Sequence, residues 1–132
     1  MTEDSVSVAK RLFEAWEREG FGVVPELMHA EVEYVNPPYA VEPGTRRGYE
    51  GFAIAAEAVR AVYPGRRFIP LEFHDAGSRV AVRARVVARG AGSSVEVDTE
   101  RGYVLEVRDG KLVSLAWFNH PHEALASVGL GG

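Results

Sequence analysis

Apolar residues recur at two different spacings along this chain, and the switch divides it into two halves. Val8, Leu12, Phe13 and Trp16 share one helical face, which predicts a helix capped by Ser5 and running to about Glu19. Gly20 and Gly22 stop it. A short second helix is expected over residues 25–28, with Pro25 in its first turn. Residues 31–36 alternate and predict a strand, ended by Pro37-Pro38, which cannot continue a ladder. Residues 37–48 read as a loop rich in Pro, Gly and Arg. A third helix is predicted over residues 49–63, bounded by Pro64-Gly65, and its run of alanines suits close packing against a sheet.

From there the period becomes two. Strands are predicted over residues 67–75, 79–89, 95–107 and 111–119, with turns at Ala76-Gly77-Ser78, at residues 90–94 and at Asp109-Gly110. The last is a strong hairpin signal. His120 as N-cap, Pro121 in the first turn and Glu123 predict a short final helix to about Val128, ended by Gly129. Helices followed by antiparallel strands indicate an α+β fold. Strands this long must curl to bury one face. Helices laid against such a sheet leave a cone-shaped, curled antiparallel sheet with an apolar interior.

Composition narrows the function without naming it. A chain of 132 residues suits a single domain, residues 1–132, able to bury roughly two-thirds of its surface. Fifteen Lys and Arg against nineteen Asp and Glu give a net charge of −4, which argues against nucleic acid as a partner. No apolar run approaches the ~18 residues of a membrane span. The start, Met1-Thr2-Glu3-Asp4, does not resemble a secretory signal, so a cytoplasmic location is expected. The lack of cysteine excludes disulfides, thiol catalysis and thiolate metal sites. Thirteen of the fifteen cations are arginines, which reflects either codon usage or recognition of anions. No phosphate-cradling glycine motif is present, so no cofactor is expected.

Strand parity then picks out candidate side chains. Over 79–89, Val80, Val82, Ala84, Val86 and Ala88 face the cone while Arg83, Arg85 and Arg89 face out. Over 95–107 the apolar parity turns Arg101 and Tyr103 inward, and it sets Glu96, Asp98, Glu100 and Glu106 beside the outward arginines. Those rows read either as cross-strand ion pairs or as a polar homodimer face. The same reasoning turns Trp117 and Asn119 inward on the last strand, and Tyr34 and Asn36 on the first. Aromatic walls with a few polar groups are the usual anatomy of a small-molecule pocket. Candidate wall residues are therefore Trp16, Tyr34, Tyr39, Arg101, Trp117 and Asn119, with Tyr103 and Asn36 as the groups placed for chemistry. Each also has a plain structural role open to it, as core aromatic, strand end or turn residue. His120 and His122 form an H-x-H pair without an evident third ligand, so no metal is expected. His29 and His74 read as exposed.

Several short stretches, taken in order, resemble the nuclear transport factor 2-like superfamily, and within it SnoaL-like and ketosteroid-isomerase-like proteins. These are Phe13-Glu14-Ala15-Trp16 with Gly20, Val32 through Pro37, Gly48-Tyr49-Glu50-Gly51-Phe52, and Tyr103 through Lys111. Trp117-Phe118-Asn119 and Glu123-Ala124-Leu125 complete the set, and the likeness runs from about Val6 to Leu130. The resemblance implies a cystatin-like α+β barrel and a homodimer, here through the outer sheet face. It implies little about reaction, because the fold hosts isomerases, hydrolases, dehydratases, cyclases and binders.

The isomerase pattern is also broken. Where ketosteroid isomerases carry a proton-shuttling aspartate before a proline, this chain has Asn36. A second family aspartic acid is matched by Tyr103, which still donates a hydrogen bond. The first-helix tyrosine is matched by Phe13, and the last-strand aspartate of limonene epoxide hydrolases by Trp117. With no inward carboxylate evident, His120 at the cone mouth is the candidate base, Tyr103 the oxyanion donor and Arg101 the holder of an anionic group. The expectation is a cofactor-free isomerase, cyclase, hydrolase or dehydratase acting on an apolar ring or carbonyl compound. The alternatives are a non-catalytic small-molecule-binding protein and a dimeric interaction module.

Overall fold

The computed structural model describes residues 4–62, 65–89 and 96–130. Tyr63, the predicted turn over 90–94, Val95 and the Met1-Thr2-Glu3 start lie outside the described residues, as do the side chains of Arg89 and Glu96. Helix α1 spans Ser5–Glu19, but its cap is Asp4 rather than Ser5: the Asp4 carboxylate accepts the Ser7 N–H at 2.8 Å. A carboxylate at that position also meets the positive end of the helix dipole. A 3-10 turn, Pro25–Leu27, leads into β1, Met28–Asn36. Strand β2, Gly44–Arg47, occupies part of the predicted loop, and helix α2 follows over Gly48–Val62. Strands β3 (Arg67–Ala76), β4 (Arg79–Arg89), β5 (Glu96–Arg108) and β6 (Lys111–Phe118) precede helix α3, Pro121–Ser127. Asp109 and Gly110 both have positive φ, as the tight β5–β6 hairpin requires.

The six strands form one curled, non-closed sheet in the order β2-β1-β6-β5-β4-β3. It is mixed, not wholly antiparallel as expected, because β1 runs parallel to β6. Curling is aided by a bulge at Leu71, where the β3–β4 register skips between Pro70 and Glu72. The bulge also reverses parity along β3. Phe68 and Phe73, five positions apart, thus both pair with inward residues of β4, Val86 and Val82.

Helices α1 and α2 lie on the concave face. Leu12, Phe13, Trp16 and Phe52 join Val82, Leu105 and Leu115 in one buried cluster. Helix α3 packs on the opposite, convex face, against β4, β5 and β6. It approaches most closely at Gly102, where an added Cβ would stand 2.7 Å from Ala124 Cβ and 3.0 Å from the His120 carbonyl oxygen. Gly102→Ala is therefore expected to cost about 1–3 kcal/mol through overpacking, read as a lower midpoint in chemical denaturation. An unchanged midpoint would mean that α3 is free to retreat.

Elsewhere on the convex face the predicted charge rows close on themselves. Arg83 bonds to Glu72 and Glu100, and Arg85 to Asp98. The bonds from Arg83 and His74 hold the Glu72 carboxyl below the usual carboxylate range. Exposed pairs of this kind fix side-chain register more than they add stability. Among the described residues, no helix is long and apolar enough to cross a membrane.

Candidate functional site

The concave face is not filled. Where α2 crosses the sheet it presents small side chains, and Ala55, Ala58 and Val59 leave a hollow of about 530 Å³. That volume is in the usual range for a small-molecule site, roughly 300–1,000 Å³. The opposing wall is built by β-strand alternation: Tyr34 and Asn36 from β1, Arg101 and Tyr103 from β5, Trp117 from β6. Tyr103 stands directly beside Trp117 and Val82 in the sheet, and Arg101 beside Ala84. Phe21 and Phe68 close the apolar end, Arg66 stands just before β3, and Ala40, Val41 and Glu42 form part of the rim.

Five of the candidates from the sequence thus line the hollow: Tyr34, Asn36, Arg101, Tyr103 and Trp117. Four do not. Trp16 is a core residue, packed edge-on against Phe13 and Phe21, and its Nε1–H donates to the Gly22 carbonyl at 2.9 Å. Tyr39 stands outside the cavity; its hydroxyl accepts the Asn119 N–H at 2.8 Å and donates to Glu123 at 3.3 Å. Asn119 is not part of the lining; its Oδ1 accepts the Arg101 Nη1–H at 3.0 Å. His120 is exposed at the start of α3 and stacks on His122 with ring centroids 5.4 Å apart. The placement of α3 on the convex face takes His120 away from the cavity, so it is not a base at the cone mouth.

Other lining residues went unread in the sequence. Parity counted straight through the Leu71 bulge mis-sets Phe68, and Arg66 precedes the strand where alternation begins. At the rim Glu42, its side chain largely exposed, pairs with Arg46 at 2.9 Å.

Hydrogen bonding inside the hollow is unevenly assigned. Asn36 is committed on both sides: its Oδ1 accepts from Trp117 Nε1 at 2.8 Å, and its Nδ2 donates to the Gly44 carbonyl at 3.3 Å. It braces β1, β2 and β6 where they meet. Neither the Tyr34 nor the Tyr103 hydroxyl has a protein partner among the described residues. Arg101 lies with its guanidinium 5.8 Å from the Trp117 ring centroid, and its Nε is buried without an acceptor. Burial pushes the Tyr34 phenol up to about 12, with Arg66 and Arg101 pulling the other way, and it raises Tyr103 for the same reason. Both phenols are therefore neutral donors near pH 7.

That shift has a sign in the pH dependence of folding. The unfolded phenol ionises near its ordinary value of 10, while buried Tyr34 keeps its proton to about 12. Above pH 10 the unfolded chain binds fewer protons than the folded one, so stability falls as pH rises toward 12. The loss from this group is expected to be roughly 2–3 kcal/mol across that window. Denaturant unfolding in steps from pH 9 upward should show it, with a shallower decline in Tyr34→Phe. Equal slopes in both proteins would remove the assignment.

Comparison with known proteins follows the geometry. A family profile described as a SnoaL-like domain matches residues 9–115. No curated protein matches the sequence significantly. Among solved structures, TerC co-crystallised with polyporic acid aligns at a TM-score of 0.75 and 20% identity, covering 94% of this chain and 97% of that one. A putative SnoaL-like polyketide cyclase from Jannaschia sp. CCS1 aligns at 0.72 and 18% identity, covering 86% and 83%. An NTF2-like protein from Burkholderia thailandensis E264 aligns at 0.76 and 16% identity, covering 96% and 97%. Likenesses at such identities show the fold.

Proposed function

We propose that this chain, which belongs to the SnoaL-like domain family, takes an apolar ring or carbonyl compound into the concave hollow and acts on it without a cofactor. The observation that carries this reading is the pair of unpartnered phenols, Tyr34 and Tyr103, in a cavity of about 530 Å³ whose apolar sides are Phe21, Phe68, Ala55, Ala58, Val59 and Trp117. Two neutral donors held in low dielectric are suited to a carbonyl oxygen, and more so to the enolate oxyanion that forms when a solvent water takes the proton beside the carbonyl. Tyr103 is the stronger candidate because it stands on the same wall as Arg101, two residues away. Asn36 positions β1 and Trp117 and has no group left to exchange a proton. The putative SnoaL-like polyketide cyclase from Jannaschia and the co-crystal of TerC with polyporic acid support a small-molecule ligand for this fold.

Titration with a flat aromatic ketone such as 2-acetylnaphthalene tests the reading. Saturable change in tryptophan emission is expected, because Trp117 lines the cavity. Failure to saturate would end it. A second reading, binding without chemistry, is favoured by one observation: the described lining has no His or Asp, and its one Glu is tied to Arg46. Deuterium exchange at the carbon beside the carbonyl separates the two. Acceleration by the protein means catalysis, and an unaltered solution rate means sequestration.

The homodimer through the outer sheet face belongs to the same proposal. Its site would be the Arg83 and Arg85 rows beside α3, and sedimentation of a single monomer-mass species at micromolar concentration would remove it.

A further inference from the structure

Among the described residues the Arg101 guanidinium is steadied by two side chains, and both lead to one residue of the rim. Its Nη1–H donates to Asn119 Oδ1 at 3.0 Å, and it lies over the Trp117 ring, 5.8 Å from the centroid. The Asn119 backbone N–H donates in turn to the Tyr39 hydroxyl at 2.8 Å, and the Tyr39 ring meets Trp117 edge-on with centroids 6.3 Å apart. The Tyr39 hydroxyl proton goes to Glu123 Oε1 at 3.3 Å, an oxygen that also accepts the His120 N–H where α3 begins. Tyr39 is about half exposed and outside the cavity, yet it ties the rim segment to the end of β6 and to α3. Placement of the guanidinium matters because Arg101 and Tyr103 share one face of β5, two positions apart. The Arg101 charge pulls on the Tyr103 phenol against the effect of burial, and the same field favours an enolate held by that hydroxyl. Such a field helps only if the charge is already in place, and a free arginine side chain has many rotamers to lose.

The geometry points to Tyr39 as a positioning residue for the enolisation proposed above: without touching the ligand it fixes Asn119 and Trp117, and through them the distance from the Arg101 charge to the oxyanion on Tyr103. Of the two routes, the one through Asn119 is the more sensitive. Trp117 has a second brace, the bond from its Nε1–H to Asn36, whereas the Asn119 N–H is held by the Tyr39 hydroxyl. The inference rests on the reading of the hollow as a site of enolisation and adds a residue that acts on it from outside.

A double-mutant cycle tests it, read as deuterium uptake beside the carbonyl of 2-acetylnaphthalene at saturating ketone. Tyr39→Phe keeps the ring against Trp117 and loses both hydroxyl bonds. Uptake is expected to slow by about three- to tenfold, with the Kd of the ketone within about twofold of wild type. The same substitution made in Arg101→Gln should add no further loss, because the group it positions is gone. Asn119→Ala cuts the same link and serves as the background where Arg101→Gln does not fold. Losses that multiply in the double variant, or a Tyr39→Phe rate equal to wild type, overturn the inference and leave the enolisation reading standing. A wild-type protein that does not accelerate uptake removes the enolisation reading itself, and the role of Tyr39 falls with it.

Discussion

Tyr103→Phe is expected to slow turnover of a carbonyl ligand by about 10²–10³-fold, the usual cost of deleting one donor to a developing oxyanion. The argument is geometric. Tyr103 is 6% exposed, its ring is packed edge-on against Phe13 and Phe68, and only its hydroxyl lacks a partner. Phenylalanine keeps those ring contacts, so the variant should fold with near-normal stability. Affinity for the ground-state ketone should change little, because a neutral carbonyl gains less from the donor than an oxyanion does. The measurement is the rate of deuterium uptake beside the carbonyl at saturating ligand. A rate within about threefold of wild type would remove Tyr103 from the chemistry. Its burial makes the donor durable, since a phenol pushed up by desolvation does not lose its proton near neutrality.

Phe52→Ala is expected to cost about 3–5 kcal/mol, a large share of the roughly 5–15 kcal/mol that holds a domain of this size together. Phe52 is fully buried on α2 and meets Phe21 and Tyr34 with ring centroids 5.5 Å away from each. It joins the helix to the first strand beside the cavity, so its loss should also widen the hollow and weaken ligand binding. Guanidinium unfolding gives the number. A loss below about 1 kcal/mol would show that the surrounding aromatics collapse into the space.

Much of this architecture was legible because it follows from local rules. The Asp109-Gly110 hairpin, the Gly20 stop and the inward parity of Arg101 and Tyr103 each depend on a few neighbouring residues. The misreadings share a different cause. The parallel β1–β6 pairing and the side of the sheet chosen by α3 are decisions between distant segments, and no spacing within one strand reports them. The latter decision moved His120 from the mouth to the far face. Short β2 has too few residues to display a period, and the Leu71 bulge breaks the period where it would have pointed to Phe68. Arg66 lies outside any regular element, so only the folded chain brings it to the hollow.

The bare backbone at Gly102 bears on how well the site can hold its shape. It sits between Arg101 and Tyr103, two residues of the cavity wall that the proposed function uses, and it is where the final helix comes down on the reverse of the sheet. That stretch of strand is gripped from behind by the helix and from both sides by its neighbours. A guanidinium and a phenol mounted on so immobile a rail can swivel but cannot drift apart, so their spacing is preset before any guest arrives.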